Sequence, residues 1–427
     1  MSVYSHFSKK AQELDQSDQL AHFRDFFVSK NENLIYLDGN SLGRLPKPTV
    51  SELRNVIEHQ WGQNLIRSWN ENWIGLQERL AEKIARIVGA QTDEIFVGDS
   101  TSVNFYKLAF AALKIQQNKS VIVSDELNFP SDLYLIQGLI NTSYPDHKLL
   151  LIKSKDGISI GTDDIESILD DNTALLTLSH VLYRSAFMYD MEKINALAHK
   201  RKALVLWDLS HATGAVRLNL NESGTDMAVG CTYKYLNGGP GSPAFLYIRK
   251  ELQKELQNPV WGWFGHQKPF DFESVYVSNK DIKSFGAGTP PILSMAALEP
   301  SLKIITEAGI TPLRQKSVAL SEFFRKMTTE ILLPNGFVMA SPSNPSERGS
   351  HISLRHPEGL RICKSLIEPA NDSKSIIPDF RPPDNIRFGF APLYNTFTEM
   401  VETVARLEQI IKTEEFKRHS EQKPVVT

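Results

Sequence analysis

Two stretches, Ala203-Leu-Val-Leu-Trp-Asp208 and Cys231-Thr-Tyr-Lys-Tyr-Leu-Asn-Gly-Gly-Pro-Gly241, decide the fold. The first is a short apolar run closed by a carboxylate, the pattern of a strand buried on both faces of a parallel sheet. Asp208 then stands at the strand's carboxyl end, where open α/β sheets place their ligands. About a helix and a strand later, Lys234 sits between Tyr233 and Tyr235, ahead of a glycine-rich turn. Read singly, Lys234 is a solvated surface lysine and Asp208 a helix cap, since a short motif is only a hypothesis. Together they are the pair a pyridoxal phosphate enzyme needs. The amine bonds the cofactor's aldehyde carbon, and the acid keeps the pyridine nitrogen protonated so that the ring accepts electrons.

Outward from this centre, strands alternate with helices. Glu94 to Val97, Val121 to Ser124, Leu149 to Lys153, Ala174 to Leu178 and Pro243 to Ile248 read as strands. Thr49 to Trp61, Leu76 to Val88, Val103 to Leu113, Leu133 to Ile140 and Asp190 to Lys200 read as helices. The alternation predicts a mostly parallel sheet covered on both faces. Residues 1–33 predict a helix or two lying on the body. Residues 292–330 are helical, and a smaller α+β unit follows, with strands near Phe337, Ile352 and Ile386. Its final helix runs from Phe397 to Thr413, and Glu414 to Thr427 reads as a frayed tail. The expected division is an N-terminal segment (1–48), a large domain (49–291) and a small C-terminal domain (292–427).

Several loops carry candidate binding groups. Gly98-Asp-Ser-Thr-Ser102 opens a helix. Ser100 or Thr101 is there as an ordinary N-cap, or the helix N-terminus receives a phosphate; the downstream lysine motif favours phosphate. Gly39-Asn-Ser-Leu-Gly43 is a tight loop whose polar groups face a ligand or satisfy the backbone. Arg67, Trp69 and Trp73 lie in a polar linker, where the tryptophans are either aromatic-substrate contacts or packing anchors.

The chain has 427 residues, net charge -3 and two cysteines, Cys231 and Cys363. That length suits two or three domains on a prior of roughly 150 residues each. The charge points to neither nucleic acid nor membrane, and two distant cysteines make neither a disulfide framework nor a metal site. No secretory leader or membrane-spanning apolar run is read, so the expected compartment is the cytoplasm.

Trp207-Asp-Leu-Ser-His211, Tyr233 to Gly241 and Gly262-Trp-Phe-Gly-His266 resemble the kynureninases, a family of the fold-type I, aspartate aminotransferase-like, pyridoxal phosphate enzymes. The likeness extends from Tyr36-Leu-Asp-Gly-Asn-Ser-Leu-Gly43 to Ile386-Arg-Phe-Gly-Phe-Ala-Pro-Leu-Tyr394. It implies an α/β fold with a seven-stranded sheet and a smaller α+β domain. Pyridoxal 5'-phosphate would be held by Lys234, with Asp208 at the pyridine nitrogen and His211 nearby. Phe129 would stack on the ring beside Asp132, and Ser179 would add a further hydroxyl. Thr101, Ser102 and Tyr233 would meet the phosphate. Trp263 and Thr289 would reach it from a second subunit, which implies a homodimer with shared sites. Arg387 would grip the substrate carboxylate. Its planar fork suits that task, although a surface ion pair is equally consistent with the sequence. Ser41, Trp69 and Phe264 would complete the substrate pocket.

The implied reaction is hydrolysis of the Cβ–Cγ bond of L-kynurenine to anthranilate and L-alanine, a step of tryptophan catabolism. Lys234 would move the Cα proton, and Tyr233 would serve later proton transfers. Relatives that prefer 3-hydroxykynurenine carry a histidine near Trp69 to Trp73 and serine-asparagine at Gly288-Thr289. This chain departs from them at both places, which implies preference for kynurenine itself. Two other readings compete: a cysteine desulfurase or selenocysteine lyase, and an inactive cofactor-binding subunit. A desulfurase needs a mobile nucleophilic cysteine, and Cys231, on a buried strand end, and Cys363, in a helix, do not suit it.

Overall fold

The computed structural model describes residues 3–29, 33–370 and 373–422. After helix α1 (Val3–Gln16), strand β1 (Leu34–Tyr36) and helices α2 (Lys47–Asn55) and α3 (Leu76–Val88), strand and helix alternate. The order is β2 (Ile95–Val97), α4 (Thr101–Ile115), β3 (Val121–Asp125), α5 (Pro130–Thr142), β4 (Lys148–Ile152), α6 (Thr162–Ile168), β5 (Thr173–Ser179), α7 (Met191–Lys200), β6 (Leu204–Asp208), β7 (Met227–Gly230) and β8 (Phe245–Ile248). The strands form one seven-stranded sheet, ordered β2-β8-β7-β6-β5-β3-β4. Only β8 runs against its neighbours. Every residue of β3, β5, β6, β7 and β8 is buried, which is why these strands read as apolar runs rather than alternating ones.

The helix expected between β6 and β7 is absent, a correction to the sequence reading. Residues 209–226 form successive turns instead. The chain turns at Gly214, in the left-handed region at φ +83, a conformation that only glycine takes without cost. Leu209, Ala212, Ala215 and Val216 are nevertheless buried, so the segment supplies core without a helix.

The chain continues through α8 (Ile292–Ala308), α9 (Ile310–Met327), β9 (Val338–Met339), β10 (His351–Arg355), α10 (Gly359–Ile367), β11 (Ser375–Ile377), β12 (Asp379–Arg381), β13 (Asn385–Gly389) and α11 (Phe397–Lys412). A small antiparallel sheet, β12-β13-β10-β9, packs under α9 and α11, while α8 buries Met295, Leu298 and Leu302 in the core of the large sheet. Thr396 and Glu399 start α11 with a reciprocal capping box. The N-terminal residues join this half of the molecule. Strand β1 pairs in parallel with β11, and Phe7, Ala11 and Leu37 lie in the same core as Phe324 and Phe388.

The frayed-tail expectation fails as far as residue 422. Phe416 is buried and Glu415 pairs with Arg406 at 2.6 Å. The rest of that expectation, 423–427, lies outside the described residues, as do residues 1–2 and 30–32 of the N-terminal one.

Candidate active site

The carboxyl ends of β5 and β6 set the first two groups side by side. Ser179 and Asp208 are register partners. Asp208 is buried, and its Oδ1 accepts from the Ser210 amide at 2.8 Å. Ser179 Oγ donates to Asn128 Oδ1 at 2.6 Å, and Asn128 Nδ2 donates to Ser124 Oγ at 3.0 Å. Asn128 Oδ1 also takes the Phe129 amide at 2.8 Å. The loop ahead of α5 is thereby pinned to the strand ends. Phe129, 42% exposed, meets Tyr183 edge-on at 5.3 Å, and Asp132 falls in the first turn of the helix.

Lys234 lies in the turn after β7. The Asn237 amide donates to its carbonyl at 2.9 Å, and its Nζ stands 5.8 Å from the centre of the Tyr233 ring. Asp132, Asp208, His211 and His351 all feel its charge. Burial pushes the Asp208 carboxyl up, and Lys234 and the Ser210 amide oppose the rise. Burial, then the charge of Asp208, pushes Asp132 well up, again against Lys234. His211 is held neutral, first by burial and then by Lys234 and Arg387. Tyr233 is raised above the usual phenol range, chiefly by burial, so its hydroxyl keeps its proton. Asp132 Oδ2 and His211 Nδ1 are buried without a hydrogen-bond partner. Such atoms are costly unless a ligand satisfies them.

Two helix N-termini converge next to this cluster. Ser100 caps α4 by accepting from the Val103 amide at 3.3 Å, so the N-cap and the anion-site readings are compatible. Thr101 and Ser102 occupy the first turn, and Ser102 Oγ is 3.3 Å from Ser131 Oγ in the first turn of α5. Free amides, hydroxyls and aligned dipoles there suit an anion. Together with the exposed Phe129 ring and the Asp208 carboxyl, these residues could hold a flat heteroaromatic ring carrying an anionic tail. Among the described residues, no cluster of His, Cys, Asp and Glu suited to a metal ion occurs, and no helix is long and apolar enough to cross a membrane.

Arg387, on β13, is 1% exposed, and this removes the surface ion-pair reading. Its Nε donates to Asp379 Oδ2 at 2.5 Å, Nη1 to the Tyr183 carbonyl at 2.6 Å and Nη2 to Ser41 Oγ at 3.2 Å. Asp379 is its register partner on β12. The guanidinium plane is therefore fixed before any ligand arrives.

Trp69, Trp263, Phe264 and Thr289 gather elsewhere. The Phe264 ring lies 4.3 Å from Trp263 and 6.2 Å from Trp69. Phe264 and Thr289 line a cavity of about 370 Å³ together with Gly98 and Asp99. Lys234 is not among its walls. Trp69 to Trp73 form a wide helical turn rather than a linker, with Trp73 Nε1 donating to Gln60 Oε1 at 2.7 Å. The fully buried Lys107 joins this cavity to the α4 loop, donating to Asp99 Oδ2 at 2.6 Å and to the Phe285 carbonyl at 2.8 Å.

Asn128, Lys107, His351 and Asp379 went unread in the sequence. Asn128 adjoins the Phe129 motif, and its place beside a strand end was a usable signal. The other three reach their partners only through pairing or packing between distant segments.

Comparison with known proteins gives the following. The aminotransferase class-V family model matches residues 35–359, and the kynureninase C-terminal domain model matches residues 313–407. A kynureninase from Pseudomonas fluorescens is 40% identical over 403 residues, covering 93% of this chain and 94% of the relative. One from Burkholderia mallei is 39% identical, covering 95% and 96%. Among solved structures, an apo cysteine desulfurase from Thermococcus onnurineus NA1 aligns with a TM-score of 0.76 at 19% identity, covering 94% of this chain and 98% of its own. The cysteine desulfurase CsdA from Escherichia coli aligns with the same TM-score at 15% identity, covering 92% and 99%. At such identities the likeness is one of fold.

Proposed function

The chain belongs to the kynureninase family, and on that premise we propose that its Lys234 pocket hydrolyses the Cβ–Cγ bond of L-kynurenine to anthranilate and L-alanine. The observation that carries the reading is the buried group of Asp208, Asp132 and Arg387 around the half-buried Lys234, with Asp132 Oδ2 and His211 Nδ1 unpaired. The cofactor is pyridoxal 5'-phosphate. Lys234 would hold it covalently, Asp208 would face its ring nitrogen, Phe129 its ring, and Thr101, Ser102 and Tyr233 its phosphate. Bound there, it supplies the electron sink that acidifies the substrate's Cα–H and makes Cβ a competent leaving group.

The chain's own residues do the rest. Arg387 fixes the α-carboxylate with a guanidinium already braced by Asp379 and Tyr183, and this selects which Cα bond is aligned for cleavage. The Lys234 amine takes the Cα proton. The carboxylate of Asp208 would keep the cofactor's ring nitrogen protonated. Tyr233, its phenol held protonated by burial, donates as water adds to the γ-carbonyl and the Cβ–Cγ bond breaks. Ser41, beside Arg387, remains a candidate contact in this site. Trp69 and Phe264, which gather away from Lys234, would wall the aryl end of the neighbouring site in a second copy, and unsubstituted kynurenine is the expected better substrate.

A second copy completes the assembly in this reading. Trp61, Leu65, Ile66, Trp73, Pro290 and Leu293 form an apolar groove of about 640 Å³ next to Thr289. Exposed Trp261, Phe272 and Val275 extend the apolar surface. A homodimer covering this face would bring Trp263 and Thr289 to the neighbouring site. We read the domains as a large cofactor-binding unit (49–291) with α8 packed into its core, a small C-terminal unit from the remainder of 292–427, and an N-terminal segment (1–48) laid across them.

The desulfurase alternative has no nucleophile. Cys231 and Cys363 are both buried, and burial raises both thiols, the reverse of what a reactive thiolate requires. The test is anthranilate fluorescence from purified holoenzyme and L-kynurenine, with one alanine per turnover. Sulfide from cysteine without anthranilate from kynurenine would overturn the reading.

A further inference from the structure

His351 is fully buried at the start of β10, and neither of its ring nitrogens has a hydrogen-bond partner. In the antiparallel pair of β10 and β13 it stands opposite Gly389, and Ser353 stands opposite Arg387. Directly opposed residues share a face of the sheet, so the His351 and Arg387 side chains emerge on the same face as diagonal neighbours. Gly389 contributes no side chain between them, and the buried Asn40 fills that space closely enough that a Cβ at 389 would collide with it. The His211 ring is centred 5.7 Å from the His351 ring. The Tyr183 main chain, whose carbonyl accepts from Arg387 Nη1, also lies against the His351 ring and favours its protonated form, the one influence there that does.

The surroundings define what His351 is suited to bind. Burial first, then Arg387 and Lys234, holds its imidazole neutral. A neutral imidazole keeps one N–H to donate. The charges that reach His351, those of Arg387, Lys234 and Arg348, are all cationic and favour an anion beside it, and a buried donor without a close partner is costly. The only anion the proposed substrate carries is its α-carboxylate.

We propose that His351 is a further substrate-binding residue, donating a hydrogen bond to the α-carboxylate that Arg387 grips. This rests on the hydrolase reading above, but its test does not require hydrolysis. L-alanine carries the α-carboxylate without the aryl group, and anthranilate carries the aryl group without the amino acid. Binding of L-alanine to the holoenzyme is read from the cofactor's absorbance, and anthranilate from competitive displacement of a chromophoric amino acid.

His351→Leu is expected to weaken L-alanine about tenfold or more, the usual cost of a hydrogen bond to a charged group, with anthranilate changed less than twofold. The KM for kynurenine should rise in parallel, with kcat held within about threefold. His351→Gln, which keeps a donor at similar reach, should restore most of the L-alanine affinity. If His351→Leu does not fold, His351→Asn is compared with His351→Gln; the shorter amide must lose L-alanine affinity that the longer one keeps. Unchanged L-alanine affinity, or a loss in anthranilate alone or in both ligands equally, would overturn the assignment. Absence of kynurenine hydrolysis in the wild type would overturn the activity and leave this measurement intact.

Discussion

The Gly43 amide donates to the Tyr233 carbonyl at 2.8 Å, so the loop that carries Ser41 is fastened to the turn that carries Lys234. A Cβ at position 43 would collide with the Lys234 carbonyl and with Asn237. Gly43→Ala is therefore expected to cost about 1–3 kcal/mol of stability, as forced overpacking usually does. It should also lower kcat/KM more than a remote substitution of equal thermal cost. Thermal unfolding together with steady-state kinetics checks both; wild-type values for each would show that the loop yields freely.

Lys234→Ala and Asp208→Asn remove the two groups on which the proton chemistry depends. Each is expected to lower kcat about a thousandfold, within the range usual for a positioned acid or base. Anthranilate fluorescence reports the loss, and turnover by Lys234→Ala at the wild-type rate would remove the lysine from the mechanism.

Arg387→Lys keeps the charge and loses the planar fork. The expected result is a KM for kynurenine raised about 10–100-fold, with a smaller fall in kcat. Asp379→Asn leaves the guanidinium buried without its carboxylate, and a loss of about 3 kcal/mol is expected. A denaturant series on both variants separates binding from stability: Arg387→Lys should melt near the wild type, and Asp379→Asn well below it.

Asp38 gives a pH signature. Burial, followed by the nearby Asp379, raises its carboxyl from 3.8 to about 6. Between those values the folded protein holds a proton that the unfolded chain has released, so this group's contribution to stability falls as pH rises through that window. Asp38→Asn should accordingly gain on the wild type from pH 4 to pH 7, by an amount on the order of 2 kcal/mol. Urea unfolding at both pH values measures it, and a difference independent of pH would exclude titration of Asp38 there.

Strands buried on both faces were legible because sequence and environment agree: β3, β5, β6 and β8 are buried throughout and built on apolar runs, and Asp208 marks an end. The interval 209–226 was not, since apolar residues packed through turns imitate a helix. Asp379 sits on a three-residue strand that carries no periodic signal, and only its register with Arg387 gives it a role. His351 is a single histidine until β10 finds β13. The chain's motif residues were therefore readable in sequence, and the groups that brace or flank them were set by long-range pairing.

The parallel pairing of β1 with β11 has a consequence for synthesis. Ser41 and Arg387 are 346 positions apart, so at roughly 5–20 residues per second Ser41 emerges some 20–70 s before its partner exists. Until β11 is made β1 has no strand to pair with, and until α9 is made Phe7 has no Phe323 to pack against. A ribosome that stalls before β11 releases a large sheet with an open pocket and a sticky leading end. Completion of the site thus awaits β13, and a product truncated before it is a client for chaperones rather than a partial enzyme.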